Sequence, residues 1–333
     1  MRAVVLVGGF GTRLRPLTEA IPKQMIPVLD RPMLEHVLGR LPASGIDEVV
    51  LALGYRPDAF LEAYPDGVCA GVRLHYAVES EPLDTAGAVR FAADEAGFDE
   101  TLVVLNGDVL TDIDVGRLVE FHTQVGAGAT IALTPVDDPS RFGVVPTDDD
   151  GRVLGFIEKP PPGEAPTNWI NAGIYVLEAD VVAAIPTGRR VSIERETFPA
   201  LAEQGRLYAK GFDDYWLDTG TPASLIDAHV DLLSGRRGAV GPSVAPTALV
   251  DPGARLESSV VMADAQVGAG ASLVRSVVMT GARVGARVRL VDTIVAPGAS
   301  VGDGSELVDS VVGYGVEVAE ATRCTSARIP EPT

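Results

Sequence analysis

Two periodicities in the 333-residue chain predict an α/β domain with a mixed, mostly parallel sheet, followed by a parallel β-helix. From Met1 to about Ser234, short β-branched runs alternate with longer amphipathic stretches. From Val261 onward, aliphatic residues recur in steps of six, six and five. Between them stands Gly235-Arg236-Arg237-Gly238, followed by Pro242, Pro246 and Pro252, so the domains are expected over residues 1–235 and 236–333.

The first periodicity reads as strands at Ala3–Val7, Glu48–Leu53, Thr101–Leu105 and Thr130–Leu133, each a short aliphatic run of buried-strand length. Met33–Leu41 and Asp114–His122 carry helical spacing, as crossover helices require. The second periodicity runs Val261, Val267, Leu273; Val278, Val284, Leu290; Val295, Val301, Leu307; Val312, Val318, Cys324. Each group closes one unit, and Gly268, Gly285 and Gly302 follow the valine of one column. Such a register suits a coil with three flat faces per turn, each burying one aliphatic residue, and Val244, Val250 and Leu256 fit one further, less regular turn.

Composition bounds what this fold can do. A hydrophobic share of 46% supports a sizeable core, while a formal charge of −19 and a pI near 4.6 argue against nucleic-acid and anionic-membrane partners. A phosphate ligand would need a local basic pocket or a metal. Cys69 and Cys324 are far apart and form no CxxC pattern, so neither a disulfide framework nor a zinc site is indicated. The apolar run after Arg2 ends at Val7, too short for a signal-peptide core, and no stretch approaches the length of a membrane span; a cytoplasmic protein is expected.

Gly8-Gly9-Phe10-Gly11-Thr12-Arg13-Leu14 follows the first strand directly. Glycines there let backbone N–H groups approach phosphate oxygens, and Arg13 can add a bidentate clamp. The loop is neither a Walker loop nor a G-x-G-x-x-G turn, which fails at Leu14. Alone it is equally a tight turn. Ten residues beyond Arg13, Pro22-Lys23-Gln24-Met25-Ile26-Pro27 fixes a lysine that could return to the same phosphates; alone, Lys23 is equally a solvated surface residue.

Together, these glycines, Arg13, Lys23 and their spacing resemble the signature of the nucleoside-diphosphate-sugar pyrophosphorylases, the sugar-1-phosphate nucleotidylyltransferases, with Gln24 where that family usually has a second proline. The resemblance implies a Rossmann-like nucleotidyltransferase domain and a left-handed β-helix of hexapeptide type. It implies an enzyme that joins a nucleoside triphosphate to a sugar 1-phosphate and releases pyrophosphate. By it Leu6, Gly8, Gly9, Gly11 and Thr12 become nucleotide contacts, and Arg13 and Lys23 become phosphate clamps.

Asn106-Gly107-Asp108 follows a strand and, alone, reads more readily as a turn. By the resemblance Asp108 is a metal ligand. Asp218, in Tyr215-Trp216-Leu217-Asp218-Thr219-Gly220-Thr221-Pro222, looks like the second ligand, although the segment is also a plain helix start capped by Thr221. Two carboxylates plus phosphates suit Mg2+.

Arg141–Val145, Phe156–Pro160 and Asn171–Tyr175 match three further family segments in order. By resemblance Gly143, Glu158 and Asn171 face sugar hydroxyls, and Lys159 holds the sugar phosphate; without it, Glu158-Lys159 is an exposed ion pair at a strand end. Ser192–Pro199 resembles a segment of the mannose-1-phosphate guanylyltransferase branch, which would bring Glu194 to the sugar. The same branch has a motif like EEPLGTAG, answered here by Glu79-Ser80-Glu81-Pro82-Leu83-Asp84-Thr85-Ala86-Gly87, so Glu79, Pro82, Asp84 and Thr85 are assigned to the nucleotide. Asp84 replaces the expected glycine, which is the clearest departure from the pattern.

GTP with mannose 1-phosphate, giving GDP-mannose, is the implied pair. Thymidylyl or adenylyl transfer to glucose 1-phosphate, transfer to a cyclitol phosphate, and a non-catalytic regulatory subunit stand as alternatives. A hexapeptide coil also serves acyltransferases, but those use a histidine base and no histidine follows His229. The coil therefore reads as an oligomerisation or regulatory domain, in a homo-oligomer that is a dimer or tetramer. Gly298-Ala299-Ser300-Val301-Gly302 fits a nucleophile pattern, but its place in the repeat makes it structural. His36, His75, His122 and His229 form no cluster in the sequence and read as packing or surface residues.

Overall fold

The computed structural model describes residues 1–54, 56–237 and 241–331. Gly238, the last residue of the expected boundary, lies outside them. Contacts divide the chain into two compact units, Met1–Gly9 with Leu34–Trp216, and Phe10–Met33 with Leu217–Thr333.

The first unit is built on a ten-stranded sheet. Its strands are β1 (Arg2–Leu6), β2 (Glu48–Leu53), β3 (Val68–Cys69), β4 (Val72–Val78), β5 (Leu102–Asn106), β6 (Ala129–Pro135), β7 (Gly143–Val144), β8 (Ile157–Glu158), β9 (Trp169–Leu177) and β10 (Leu207–Gly211). They run in the order β8-β7-β9-β5-β1-β2-β4-β3, with β6 pairing β9 and β10. β5, β1, β2 and β4 are mutually parallel, whereas β9 is antiparallel to β5 and β6. Val4, Val50, Leu102, Val104 and Ile131 are fully buried, which explains their reading as continuous apolar runs rather than alternating ones. Two helices matter for the site: α1 (Asp84–Ala96) and α2 (Val115–Val125), the latter capped by Asp114 through Gly116 N and Arg117 N. The helix expected over Met33–Leu41 ends earlier, at Leu38.

The second unit carries α3 (Pro222–Leu233) and the coil, whose three parallel sheets have five strands each. The aliphatic columns point inward: Val278, Leu290, Val295, Leu307 and Val312 are wholly buried. Each such burial is worth about 1.5–3 kcal/mol. The corners repeat as faithfully. One corner places Ser258, Arg275, Asp292, Asp309 and Ser326 at φ of 45, 44, 44, 46 and 52°. The residue after each of the first four carries a hydroxyl that donates, at 2.8 Å, to the carbonyl two residues back: Ser259 to Glu257, Ser276 to Val274, Thr293 to Val291 and Ser310 to Val308. The same hydroxyls accept the N–H one turn on, from Ser276, Thr293, Ser310 and Ala327. Buried polar groups at the bend are thus satisfied turn by turn. The glycine column has a steric cause, since a β-carbon on Gly268 would lie 2.8 Å from Ala286 N of the next turn. Ser300 falls within a coil strand, paired with Arg283 and Glu317, and Gly298 is a corner at φ 69°.

Candidate active site

In the first unit, β1 delivers Leu6 between Ala52 and Asn106 at the carboxyl ends of its neighbours. Val7 N donates to Ala52 O at 3.1 Å and Gly107 N to Leu6 O at 2.9 Å. A β-carbon on Gly9 would meet nothing within 4 Å, and one on Gly8 would stand 3.5 Å from Gly54 N. Packing does not demand either glycine: a side chain at Gly8 would make only ordinary contact, and Gly9 has open space beside its backbone. Gly107 differs, because a β-carbon there would come within 2.6 Å of Val7 Cγ1. The Asn106-Gly107-Asp108 turn is pressed against β1, and half-buried Asp108 emerges at the end of β5.

In the second unit, Gly11 has φ 60°, and a β-carbon there would lie 2.8 Å from Thr18 Cγ2 and 3.3 Å from Lys23 Cβ. Thr18 Oγ1 donates to Gly11 O at 2.9 Å, closing the loop onto the segment that bears Lys23. Thr12 and Arg13 lie exposed on the short 3-10 turn Thr12–Leu14, which buried Leu14 anchors. Lys23 is 5% exposed, and its Nζ lies 3.6 Å from Asp218 Oδ1; an Arg13 guanidinium nitrogen lies 3.9 Å from Asp218 Oδ2. Gly220 lacks the β-carbon that would collide with that guanidinium. Arg13, Lys23 and Asp218 are therefore brought together, two cations to one carboxylate, in a chain of formal charge −19. The cluster carries a net positive charge, the kind of local excess that a phosphate ligand would need. Asp218 Oδ1 is shut off from solvent and accepts no hydrogen bond, with the Lys23 ammonium at 3.6 Å offsetting its charge. Three residues on, Thr221 caps α3 in a reciprocal capping box with Ser224, so the segment is a helix start as well.

The Glu79–Thr85 turn belongs to the first unit. Glu79 Oε2 accepts from Leu83 N at 3.0 Å; burial, and then the nearby Asp84 charge, push its carboxyl above the usual range against the opposing pull of that bond. Asp84 sits at φ 62°, the left-handed region that explains why a glycine is expected there. Its carboxylate accepts from Thr85 N at 2.9 Å, a local bond that makes aspartate tolerable in this conformation. Thr85 Oγ1 accepts from Ile193 N at 2.8 Å and donates to Glu194 Oε2 at 2.9 Å, where Ser192 Oγ also donates. Glu194 lies on the π-helical turn Ile193–Thr197, so the Thr85 and Glu194 segments are stitched to one another. Pro82 is exposed beside them.

Gly143 pairs with Glu158 across β7 and β8, and Lys159 N donates to Phe142 O at 3.0 Å. Lys159 has φ 49°, and its Nζ lies 2.8 Å from Glu158 Oε1 at the surface. In β9 the register against β6 slips between Asn171 and Tyr175. Within this bulge Asn171 Nδ2 donates to Tyr175 Oη at 2.9 Å and Gly173 N donates to Asn171 Oδ1 at 2.8 Å. Sequence reasoning overlooked Tyr175, although a glycine inside an otherwise apolar strand is a signal for a bulge. Trp216 was missed too; its Nε1 donates to Ala172 O at 2.9 Å, and its ring meets Phe142 edge-on.

No group of three or more His, Cys, Asp or Glu residues with metal-holding geometry occurs among the described residues. His122 bonds Thr130 and Glu178, His75 bonds Glu48, and His229 accepts from Leu29 N. No helix among the described residues is long and apolar enough to cross a membrane.

In the first unit a glycine-bearing turn at the end of β1 and a carboxylate at the end of β5 stand at the carboxyl edge of an open α/β sheet, the edge at which such sheets bind ligands. The chain belongs to the nucleotidyl transferase family, whose pattern matches residues 2–235, and residues 240–332 match the domain described as GMPPB C-terminal domain. Among its relatives, the mannose-1-phosphate guanylyltransferase of Mycobacterium tuberculosis is 41% identical over 292 residues, 80% of each chain. The mannose-1-phosphate guanylyltransferase catalytic subunit beta of Drosophila pseudoobscura pseudoobscura is 40% identical over 263 residues, 77% of this chain and 70% of that one. A crystal structure of a putative glucose-1-phosphate thymidylyltransferase from Bacillus anthracis superposes with a TM-score of 0.63 at 26% identity, covering 73% of this chain and 98% of the other.

Proposed function

We propose that this chain transfers the nucleotidyl group of GTP to mannose 1-phosphate, giving GDP-mannose and pyrophosphate. The observation that carries the reading is the cluster of Arg13 and buried Lys23 about Asp218, two cations gathered in an acidic chain, joined to relatives named for this reaction. Glu79 supports the base: an ionised carboxylate only accepts hydrogen bonds, and guanine presents adjacent N–H donors.

In this reading a phosphate oxygen of the sugar attacks the α-phosphorus in line and pyrophosphate leaves, so positioning and electrostatics supply most of the acceleration. Leu6, Gly8, Gly9, Gly11 and Thr12 hold the nucleotide, and Arg13 and Lys23 offset phosphate charge. Glu79, Pro82, Asp84 and Thr85 line the base side. Gly143, Glu158, Asn171 and Glu194 bind sugar hydroxyls. Lys159 turns from Glu158 to the sugar phosphate, which frees the Glu158 carboxylate to accept a hydroxyl. Asp108 and Asp218 are each proposed as a magnesium ligand; magnesium, when bound, neutralises phosphate charge.

Glucose 1-phosphate with thymidine triphosphate is a second reading, favoured by the name of the Bacillus anthracis structure. Both are tested by following pyrophosphate release from each common nucleoside triphosphate with mannose 1-phosphate and glucose 1-phosphate, with and without a chelator. Fast, chelator-sensitive release with GTP and mannose 1-phosphate is expected. Preference for another pair replaces the proposed one, and no release from any pair points to a regulatory subunit.

A further inference from the structure

The bulge in β9 achieves something a regular strand could not. Asn171 stands opposite Leu133 of β6 and Tyr175 opposite Ile131, so four steps along β9 match two along β6. In a regular strand residues four apart are separated by about 13 Å, too far for a hydrogen bond between side chains. Pushing the extra residues out draws the pair to the 2.9 Å contact between Asn171 Nδ2 and Tyr175 Oη. The bulge is wedged in place. Gly173, at φ 76°, has no room for a β-carbon, which would lie 2.6 Å from Asn106 Nδ2, and the Ala172 carbonyl accepts from Trp216 Nε1.

The amide is oriented from both ends. Gly173 N–H is a donor that only Asn171 Oδ1 can accept, so the nitrogen must be the atom facing Tyr175. One Nδ2 hydrogen is then spent on Tyr175 and one remains. Packing alone asks for no hydroxyl there. Tyr175 is 1% exposed and its ring lies edge-on to Phe198 at 5.1 Å, contacts that phenylalanine would make equally well. A buried hydroxyl is costly unless it is used. Burial first, then the charges of Glu194, Glu158 and Asp108, push its pKa far above the ordinary tyrosine range, so it stays protonated. Those three carboxylates are all candidate site residues.

We propose that Tyr175 is a positioning residue for the sugar half of the reaction: its hydroxyl locks the Asn171 amide so that the remaining Nδ2 hydrogen is offered to an acceptor oxygen of the sugar. This rests on the sugar-1-phosphate reading above. The test uses the full chain and its Tyr175→Phe, Asn171→Leu and doubly substituted forms, with GTP and mannose 1-phosphate varied separately. Tyr175→Phe should raise KM for the sugar phosphate about tenfold and leave KM for GTP within about twofold. Asn171→Leu should raise it at least as much, and the double variant should be no worse than Asn171→Leu, because the hydroxyl acts through the amide. A joint rise in both KM values with a lower thermal midpoint marks a structural hydroxyl and overturns the proposal. So do additive effects in the double variant, or an unchanged sugar KM in either single variant. If Tyr175→Phe does not fold, an unchanged sugar KM in Asn171→Leu still refutes the idea. Failure of the wild type to use this pair removes the substrate reading alone, and the same comparison then runs with the pair it does use.

Discussion

Left-handed backbone at residues other than glycine occurs in both halves of the molecule, but with different support. In the coil it recurs at Ser258, Arg275, Asp292, Asp309 and Ser326, once per turn, and the neighbouring hydroxyls repeat the same two bonds at the first four bends. Each instance costs about 1–2 kcal/mol, offset by a corner the coil needs to close its triangular turn. In the α/β part such residues stand singly. Ala70 lies at the tip of the hairpin joining β3 to β4, beside Gly71, which is also left-handed. Asp84, steadied by its bond from Thr85 N, and Lys159 stand outside hairpin tips, and both lie among the candidate ligand-binding residues. Periodic strain belongs to the architecture; isolated strain asks for a local reason, and substrate positioning is one.

The largest expected contrast between the halves is in turnover. Arg13→Ala should slow pyrophosphate release by about 100- to 1000-fold with an unchanged unfolding midpoint, as loss of a phosphate clamp implies. An equal loss from a coil substitution such as Ser258→Gly would erase the distinction. A smaller contrast tests the strain itself. Lys159→Gly and Ser258→Gly should each stabilise the protein by up to about 1 kcal/mol in chemical denaturation, by relieving the same conformation, but only Lys159→Gly should lower turnover. Similar activities for the two would show that the isolated site is no different from the corner.

The smallest effect concerns pH. Glu79 titrates above the usual carboxylate range, and its ionised form, an acceptor at both oxygens, is the stronger partner for a base N–H. KM for GTP should therefore rise as pH falls through that raised value and stay flat above it. Glu79→Gln should abolish the inflection, and Asp84→Gly should move it to lower pH by removing the like charge. Titrations of KM in all three proteins decide the matter; an inflection that survives Glu79→Gln belongs to another group.

Much of this was legible in the residues. The six, six, five steps of Val261 to Cys324 translate directly into three sheets, because each step spans one flat face. The glycine loop, Lys23 and Asp218 could be grouped through a family signature, yet nothing local says that Gly220 must make room for the Arg13 guanidinium. Tyr175 was hidden for a different reason. Its significance comes from a register slip between β9 and β6, which depends on strands some forty residues apart and not on the run that contains it. The hydroxyl column Ser259, Ser276, Thr293 and Ser310 was in plain view at the spacing of the valines. An eye tuned to apolar periodicity passes over polar residues that are buried for their bonds.

The coil's repeat also sets how this protein can change over generations. Corner bonds join residues 17 apart, and each turn presents the same contacts above and below, so one turn is interchangeable with the next. Gain or loss of 17 residues leaves every later side chain on its own face, whereas a single inserted residue turns the valine column outward. Length is thus a free variable for evolution in this half of the chain, and phase is not.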